Sequence, residues 1–226
     1  MLGANLKPDS CKGCAGFPNH ISLGFVPPDS HEKALSPTTL FAILAEAPGE
    51  TETVTLKPLT GSTGEALERE VFAKLGVDRG QVLFDNTLRC RPVNNKYPTG
   101  ELANSMLKNC RKWDVSLDDY NPTVVIFCYH FTFSLLRAPS ARFSAFNAVR
   151  KALRLAESGE RPLIATGDKA KELLFPALPG PISKWDGKHF YVEWNRGGEV
   201  LAPNSSTKFG KAGGLSLAEI LRNKKR

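Results

Sequence analysis

Four short apolar runs separated by helical patterns constrain the fold of this chain more than any other feature. They read LFAILA from Leu40 to Ala45, QVLFDNT, TVVIFCY from Thr123 to Tyr129, and RPLIATG. The third run is apolar throughout, which is typical of a strand buried on both faces. We therefore predict an α/β fold, with three αβα layers and a mainly parallel central sheet.

The intervening segments predict helices. In GEALEREVFAKLG the residues Leu67, Val71 and Leu75 recur at i, i+4 and i+8, which places them on one helix face. A second helix is expected from about Ser140 to Ala156, with a stripe made of Phe143, Phe146, Val149 and Leu153. After residue 176 we expect short strands in KHFYVEW and GEVLAP and a closing helix.

Size, composition and charge narrow the class of protein. The chain has 226 residues, of which 41% are hydrophobic and 23% charged, a composition typical of a globular protein with a substantial core. No apolar run approaches the roughly 20 residues of a membrane span, and the N-terminus lacks a signal-peptide pattern. We therefore expect a cytoplasmic monomer with no membrane partner. The net charge of +7 favours a polyanionic partner, with nucleic acid first.

The first predicted strand runs into a long polar connection. From Leu44 the chain reads LAEAPGETETVTLKPLTGSTGEAL, about twenty residues where an ordinary strand-to-helix connection needs about two to six. The segment follows the carboxyl end of a strand, where open α/β sheets place their ligand crevice. A solvated surface loop is the plain alternative.

Cysteine spacing points to metal or redox chemistry. An odd count of five cysteines, two of them in CKGC, argues against a disulfide framework in an apparently intracellular chain. Four thiolates from separate segments suit either tetrahedral zinc or a [4Fe–4S] cluster, and spacing alone leaves the two open. Scattered buried thiols are the third possibility. Cys128, inside VIFCY, is interpreted as a small buried hydrophobic residue.

Five motifs in order resemble the family-4, iron–sulfur uracil-DNA glycosylases. They are CKGC, LAEAPGETE, LKPLTGSTGEAL, DNTLRCRPVNNKYP and Cys110, and together they cover roughly residues 11 to 110. The resemblance favours iron over zinc and implies that a [4Fe–4S] cluster is held by Cys11, Cys14, Cys90 and Cys110. It also implies a monofunctional DNA repair hydrolase, which cleaves the N-glycosidic bond of uracil or a related pyrimidine in DNA and leaves an abasic site.

The resemblance assigns roles to individual residues. The EAPGE turn would form the floor of a pocket for a base swung out of DNA. The Glu46 carboxylate and the backbone N–H groups around Ala47 and Gly49 would orient the attacking water and stabilise the leaving base. The Asn86 amide would read the uracil edge, because an amide donates and accepts at once. Leu59 stands where the family has an aromatic residue that stacks on the base, so we expect weaker base binding.

The family's C-terminal His-Pro-Ser motif has two candidate positions. Read in chain order, Asn204-Ser205-Ser206 replaces it, and Asn204 takes the place of the catalytic histidine. The rival placement uses His130, in YHFTFSLLR, and exchanges the order of the last two βα units. We favour the placement in chain order.

This placement gives a single domain with an insertion. The expected parts of the domain over residues 1–226 are an iron–sulfur and pocket half at 11–110, an inserted βα unit at 121–160, and a C-terminal half at 161–226. The departures at Leu59 and at the histidine motif leave a second function open. It is a DNA-binding module that keeps the cluster and pocket but has lost turnover.

Overall fold

A five-stranded sheet organises the part of the chain that the computed structural model describes, which comprises residues 11, 13–16, 22–29, 32–33, 36–111, 123–127, 139–168, 170 and 189–191. The strands are β1 (Ser22–Phe25), β2 (Phe41–Ala45), β3 (Val82–Asn86), β4 (Cys90–Pro92), β5 (Thr123–Phe127), β6 (Pro162–Thr166) and β7 (His189–Tyr191). The α-helices are α1 (Glu50–Thr55), α2 (Ser62–Leu67), α3 (Gly100–Arg111) and α4 (Pro139–Glu157). A π-helical turn, Glu68–Phe72, and a final turn, Ala73–Leu75, continue α2 without a break, so that α2 denotes the whole helix over residues 62–75 from here on. 3-10 turns lie at Arg79–Gln81 and Val93–Asn95.

The strand order in the main sheet is β3-β2-β6-β5-β7. The pairs β2–β3, β2–β6 and β5–β6 are parallel, and only the described pair β5–β7 at one edge is antiparallel. All four predicted apolar runs are strands of this sheet, so the predicted mainly parallel α/β fold is confirmed. In the β2–β3 register Ala45 pairs with Asn86, which brings the carboxyl ends of these two strands side by side.

The core on one face of the sheet lies under α2 and α4. Alternate residues of β2 and β3, such as Ile43 and Phe84, pack against Leu67 and Val71 of α2. Burial of Leu67 and Val71 confirms the predicted apolar stripe of α2, and Leu75 packs at its margin. The π-helical turn Glu68–Phe72 within this helix was not predicted.

The predicted stripe of α4 is wrong in one important position. Phe143 is 69% exposed, and the buried face consists of small residues, namely Ala141, Ala145, Ala148 and Ala152, together with Val149. Phe143 lies two residues from both Ala141 and Ala145, which is about 200° around the helix axis. Small residues let α4 approach the sheet closely, and the bulky Phe143 side chain lies on the outward side of the helix.

The opposite face of the sheet is joined to α3 by a buried arginine. The Asp85 side chain points away from the face that Phe84 occupies, because successive residues of a strand alternate. Arg89 donates to both Asp85 oxygens at 3.0 and 2.6 Å and to the Cys110 backbone oxygen of α3 at 3.0 Å. The sheet therefore has helices on both faces, which confirms the three-layer arrangement.

Two strands and two helices were not predicted. β1 and β4 form a two-stranded antiparallel sheet, in which Phe25 pairs with Cys90 and Ser22 with Pro92. The polar connection after β2 contains the short helix α1, and α3 occupies the segment before residue 112. Among the described helices, none combines the length and the apolar character that a membrane crossing requires.

Candidate active site

A cavity of about 460 Å³ opens at the carboxyl ends of the parallel strands. Its lining comes from four segments, 45–52, 59–63, 91–97 and 166–167. Two of these segments directly follow the ends of β2 and β6, and the 45–63 part is the long connection singled out in the sequence. The predicted placement of a crevice after the first strand is consistent with this geometry.

The turn after β2 is fixed by the chain that follows β3. The Glu46 backbone oxygen accepts hydrogen bonds from Leu88 N at 3.0 Å and from Thr87 Oγ1 at 2.5 Å, and Thr87 N donates to Ala45 O at 2.8 Å. The Thr87 hydroxyl also lies 2.9 Å from the Tyr97 hydroxyl at the cavity wall. These contacts hold the floor of the cavity rigidly between two strand ends.

The Glu46 carboxylate lies against the end of β6. A Cβ atom at Gly167 would come within 2.7 Å of Glu46 Oε1, and Gly167 has φ +81°. Both the close approach and the left-handed backbone favour glycine at this position. Glu46 is thereby placed at the cavity floor, beside the end of the neighbouring strand.

A second carboxylate, Glu52, lies buried in the cavity wall. Burial raises the pKa of Glu52 to about 7, while the backbone N–H groups of Gly49 and Leu59, the Asn86 amide and the Arg79 charge lower it. Glu52 Oε2 has no hydrogen-bond partner among the described residues. The Gly49 N–H group therefore acts on Glu52 and lowers the pKa of this carboxyl group.

The Asn86 side chain lies at the end of β3, next to Glu52. It is only 3% exposed, yet neither Nδ2 nor Oδ1 has a hydrogen-bond partner in the described part of the chain. The amide is close enough to Glu52 to lower its pKa but does not meet hydrogen-bond geometry. Leaving a buried polar group unsatisfied costs about 1–3 kcal/mol, so this amide is held in place at the expense of stability.

Leu59 forms another wall of the cavity. Its side chain is 4% exposed and packs in the core with Phe84, and its backbone has φ +51°. A Cβ atom at Gly64 would lie 1.8 Å from the Leu59 backbone oxygen, which explains the second glycine of GSTG. Leu59 is thus a core residue that also lines the cavity, and this position carries no aromatic ring for stacking.

The rim carries a cation and two strained asparagines. Arg91 donates to Glu50 Oε2 at 3.5 Å, while its Nε has no partner among the residues that the structure describes. Asn94 and Asn95 have φ of 52° and 55°. Asparagine tolerates this left-handed backbone better than most residues, and here it turns the chain around the cavity mouth.

The four cysteines of the resemblance lie on three neighbouring parts of the fold. Cys14 N donates to Cys11 O at 2.9 Å, so these two share one turn, while Cys90 begins β4 and Cys110 lies in the last turn of α3. Within the described residues none of the four forms a disulfide bond, and Cys14 and Cys110 pack with Leu88 and Met106.

The cysteine thiols influence one another. Burial raises the pKa of the Cys110 thiol to about 12, contacts with Arg89 lower it, and Cys90 and Cys14 raise it further. Among the described residues, however, no three cysteine, histidine or acidic side chains are close enough to hold a metal ion. The four thiols therefore fit a thiolate-bound cluster in their chemistry, but among the described residues they do not converge closely enough to hold a metal ion.

The structure brings together part of the predicted site. Glu46, Ala47, Gly49 and Leu59 line one cavity, and Asn86 lies behind its wall. Asn204, His130 and Cys128 lie outside the described residues, so their placements stay predictions. Glu52 was missed, because the repeated GETET pattern does not distinguish the buried Glu52 from Glu50, whose side chain is 80% exposed.

Comparison with known proteins agrees with this geometry. Residues 33–202 match the model of the uracil DNA glycosylase superfamily. Three curated relatives are each called type-4 uracil-DNA glycosylase. The Archaeoglobus fulgidus protein is 31% identical over 131 residues, which are 56% of this chain and 60% of the relative. The Sulfurisphaera tokodaii protein is 28% identical over 143 residues, which are 62% of this chain and 60% of the relative.

A third relative matches more closely over a shorter region. The Pyrobaculum aerophilum protein is 40% identical over 65 residues, 29% of this chain and 33% of the relative. In these three matches the chain spans between a third and three fifths of the length of its relatives. The superfamily match covers most of the chain, including the cavity and the main sheet as far as β7. This chain therefore belongs to the uracil DNA glycosylase superfamily.

Proposed function

We propose that this protein is a monofunctional uracil-DNA glycosylase that hydrolyses the N-glycosidic bond of uracil, or a related pyrimidine, in DNA. The observation that carries the proposal is a set of buried polar atoms beside the cavity that have no hydrogen-bond partner within the described parts of the chain, namely Asn86 Nδ2, Asn86 Oδ1 and Glu52 Oε2. A flipped uracil presents a carbonyl oxygen next to a ring N–H, and an amide can pair with both. The family match and the names of the relatives support the same activity.

Cleavage needs a water molecule and a stabilised leaving group. In the proposed mechanism Glu46, held at the cavity floor against Gly167, aims a water molecule at the sugar carbon. Ala47 and Gly49 shape the floor beneath the base. Asn86 donates to and accepts from the base edge, and its preorganised donor becomes more valuable as negative charge develops on the departing uracil.

The residue that completes the leaving-group site is proposed to be Asn204 rather than His130. We expect Asn204→Ala to slow excision by about ten- to a thousand-fold, the range for loss of one preorganised donor, and His130→Ala to retain most of the rate. The reverse pattern, with His130→Ala inactive and Asn204→Ala unaffected, would establish the exchanged order of the last βα units.

We further propose that Cys11, Cys14, Cys90 and Cys110 hold a [4Fe–4S] cluster with a structural role. Four thiols on the turn at residues 11–14, on β4 and on α3 would supply the donors, and the cluster would tie these segments together. Purified protein should be brown and contain about four irons and labile sulfide per chain. Cys110→Ala should lose the colour and Cys128→Ala should keep it. Zinc without labile sulfide in anaerobically purified protein would disprove the cluster.

The direct test of the activity is excision from labelled oligonucleotides. Single- and double-stranded substrates with one uracil are incubated with the protein and cleaved with alkali at abasic sites, and matched thymine substrates serve as controls. We expect cleavage at uracil alone. Salt-sensitive binding of uracil DNA without any abasic product would instead favour a non-enzymatic DNA-binding module. Lack of both binding and cleavage would refute both the glycosylase and the DNA-binding function.

A further inference from the structure

We infer that Arg79 is a positioning residue, whose guanidinium group fixes the Pro58–Leu59 turn and thereby sets the affinity of the cavity for the base. The identity of the ligand, a DNA base, rests on the proposed glycosylase function. Arg79 itself does not line the cavity, and it lies in the 3-10 turn that precedes β3. Its proposed influence on the base is exerted through the turn that it binds, apart from its charge, which also acts on Glu52.

The Arg79 guanidinium makes four contacts at once. Nη1 donates to the Leu59 backbone oxygen at 2.7 Å and to Glu68 Oε1 at 2.7 Å, and Nη2 donates to the Pro58 backbone oxygen. Its central carbon lies 4.3 Å from the centroid of the Phe84 ring. The planar group therefore joins two consecutive carbonyls of the turn to α2 and to the core.

The turn needs such support because its backbone is strained. Leu59 has φ +51°, a left-handed conformation that is costly for a residue with a bulky side chain. The Leu59 oxygen also lies so close to the backbone of Gly64 that no side chain fits there. Arg79 is the described side chain that donates hydrogen bonds to both the Pro58 and the Leu59 oxygen.

The position of this turn would affect base binding in two ways. The Leu59 side chain lines the cavity, and the Leu59 N–H group faces the buried Glu52 carboxyl group. A shift of the turn would move one wall and loosen a buried polar group at the same time. Lysine cannot replace arginine here, because an ammonium group lacks the planar fork that serves two carbonyls, a carboxylate and a ring together.

The test compares Arg79→Lys with Glu68→Gln as a matched control. The control removes the charged partner on α2 but leaves both carbonyl contacts and the ring contact of Arg79 intact. Three quantities are measured in the full-length protein: inhibition of excision by free uracil, affinity for DNA that carries an abasic site, and hydrogen exchange of the Leu59 amide.

We expect Arg79→Lys to weaken inhibition by uracil about tenfold, and to change the affinity for abasic DNA less than twofold. Exchange of the Leu59 amide should accelerate in Arg79→Lys and stay at the wild-type rate in Glu68→Gln. Wild-type inhibition by uracil in Arg79→Lys would overturn the inference. Equal weakening of uracil and abasic DNA binding would also overturn it, since that pattern indicates general destabilisation.

Failure of the proposed function would be recognised separately. If wild-type protein does not excise uracil, the glycosylase proposal is wrong, and hydrogen exchange still decides the role of Arg79. Faster exchange of the Leu59 amide in Arg79→Lys alone would then support Arg79 as the residue that fixes the turn. Unchanged exchange in that variant would refute it.

Discussion

Asp85 and Asn86 are neighbours at the end of β3, and their hydrogen bonding is opposite. Both are almost fully buried, with 1% and 3% exposure. The Asp85 oxygens accept two bonds from Arg89, and Oδ1 also accepts the Asn86 backbone N–H at 2.7 Å. The Asn86 amide has no partner among the described residues. Because the two side chains point to opposite faces of the sheet, one face carries a completed polar network and the other an incomplete one.

The same contrast separates Arg89 from Arg91. Arg89 is buried and donates to Asp85 and to the Cys110 oxygen, whereas Arg91 lies at the cavity rim and its Nε is unpartnered in the described region. Satisfied buried groups stabilise the fold, and unsatisfied ones reduce its stability unless a ligand supplies the partner. We therefore expect the α3 side to govern stability and the cavity side to govern base and DNA binding.

The largest expected effect is a loss of stability when the buried Asp85–Arg89 network next to α3 is broken. Arg89→Met leaves the Asp85 carboxylate buried without its cation, which should lower the free energy of unfolding by about 3–5 kcal/mol. Urea denaturation measures the change, with Arg91→Ala as the matched control. Asp85→Asn provides a second variant that keeps the side-chain size. A loss below about 1 kcal/mol in both the Arg89 and the Asp85 variant would show that this network does not govern stability.

The next effect is on catalysis. Asn86→Ala should slow uracil excision by about a hundred- to a thousand-fold, because it removes a preorganised group that pairs with the base. Its free energy of unfolding should be unchanged or higher, since a buried unsatisfied amide is removed. Asn147→Ala, which changes an amide bonded to Arg150 on α4, is the control. A stability loss without a rate loss in Asn86→Ala would contradict the assignment.

Sequence reasoning predicted the parts of this molecule that depend on local pattern. The strands β2, β3, β5 and β6 follow from apolar runs, and the buried face of α2 follows from its period. The β1–β4 sheet could not be predicted, because it joins Phe25 to Cys90 across a long stretch of chain. The outward position of Phe143 depends on how closely α4 approaches the sheet, which the helix period alone does not specify.

The candidate site was predicted less completely than the fold. Motif resemblance located Glu46 and Asn86, but α1 is only six residues long and too short to reveal which of its glutamates is buried. The strand pleat predicts that Asp85 and Asn86 face opposite sides. It does not predict which side holds Arg89 and which holds the cavity, since that depends on the packing of α3.

The third expected effect is a dependence of stability on pH that arises from Glu52 in the cavity wall. Burial raises the pKa of Glu52 from 4.5 to about 7, so the folded state favours the protonated form. This contribution to stability is fully present below pH 4.5 and is lost as the pH rises through about 7. Between about pH 5 and 8 the wild-type protein should lose about 2–3 kcal/mol relative to Glu52→Gln, measured by urea denaturation at each pH. Parallel stability profiles would show that Glu52 is not buried as described.

The smallest effect concerns the rim. Arg91→Ala should weaken binding of uracil DNA by about three- to tenfold and reduce the slope of log affinity against log salt by about one. Its free energy of unfolding should stay within about 0.5 kcal/mol of wild type, in contrast to Arg89→Met. An unchanged salt slope would remove Arg91 from the DNA interface.

If the Asn86 amide acquires its hydrogen-bond partner from the base, free uracil should shift the nuclear magnetic resonance signals of that side-chain amide. The Asn86 signals are identified by their absence from spectra of Asn86→Ala, and free uracil is then titrated into wild-type protein. We predict a saturable downfield shift of the Asn86 amide protons, with the Asn147 signals unchanged. Unshifted Asn86 signals at a uracil concentration that fully inhibits excision would contradict the account.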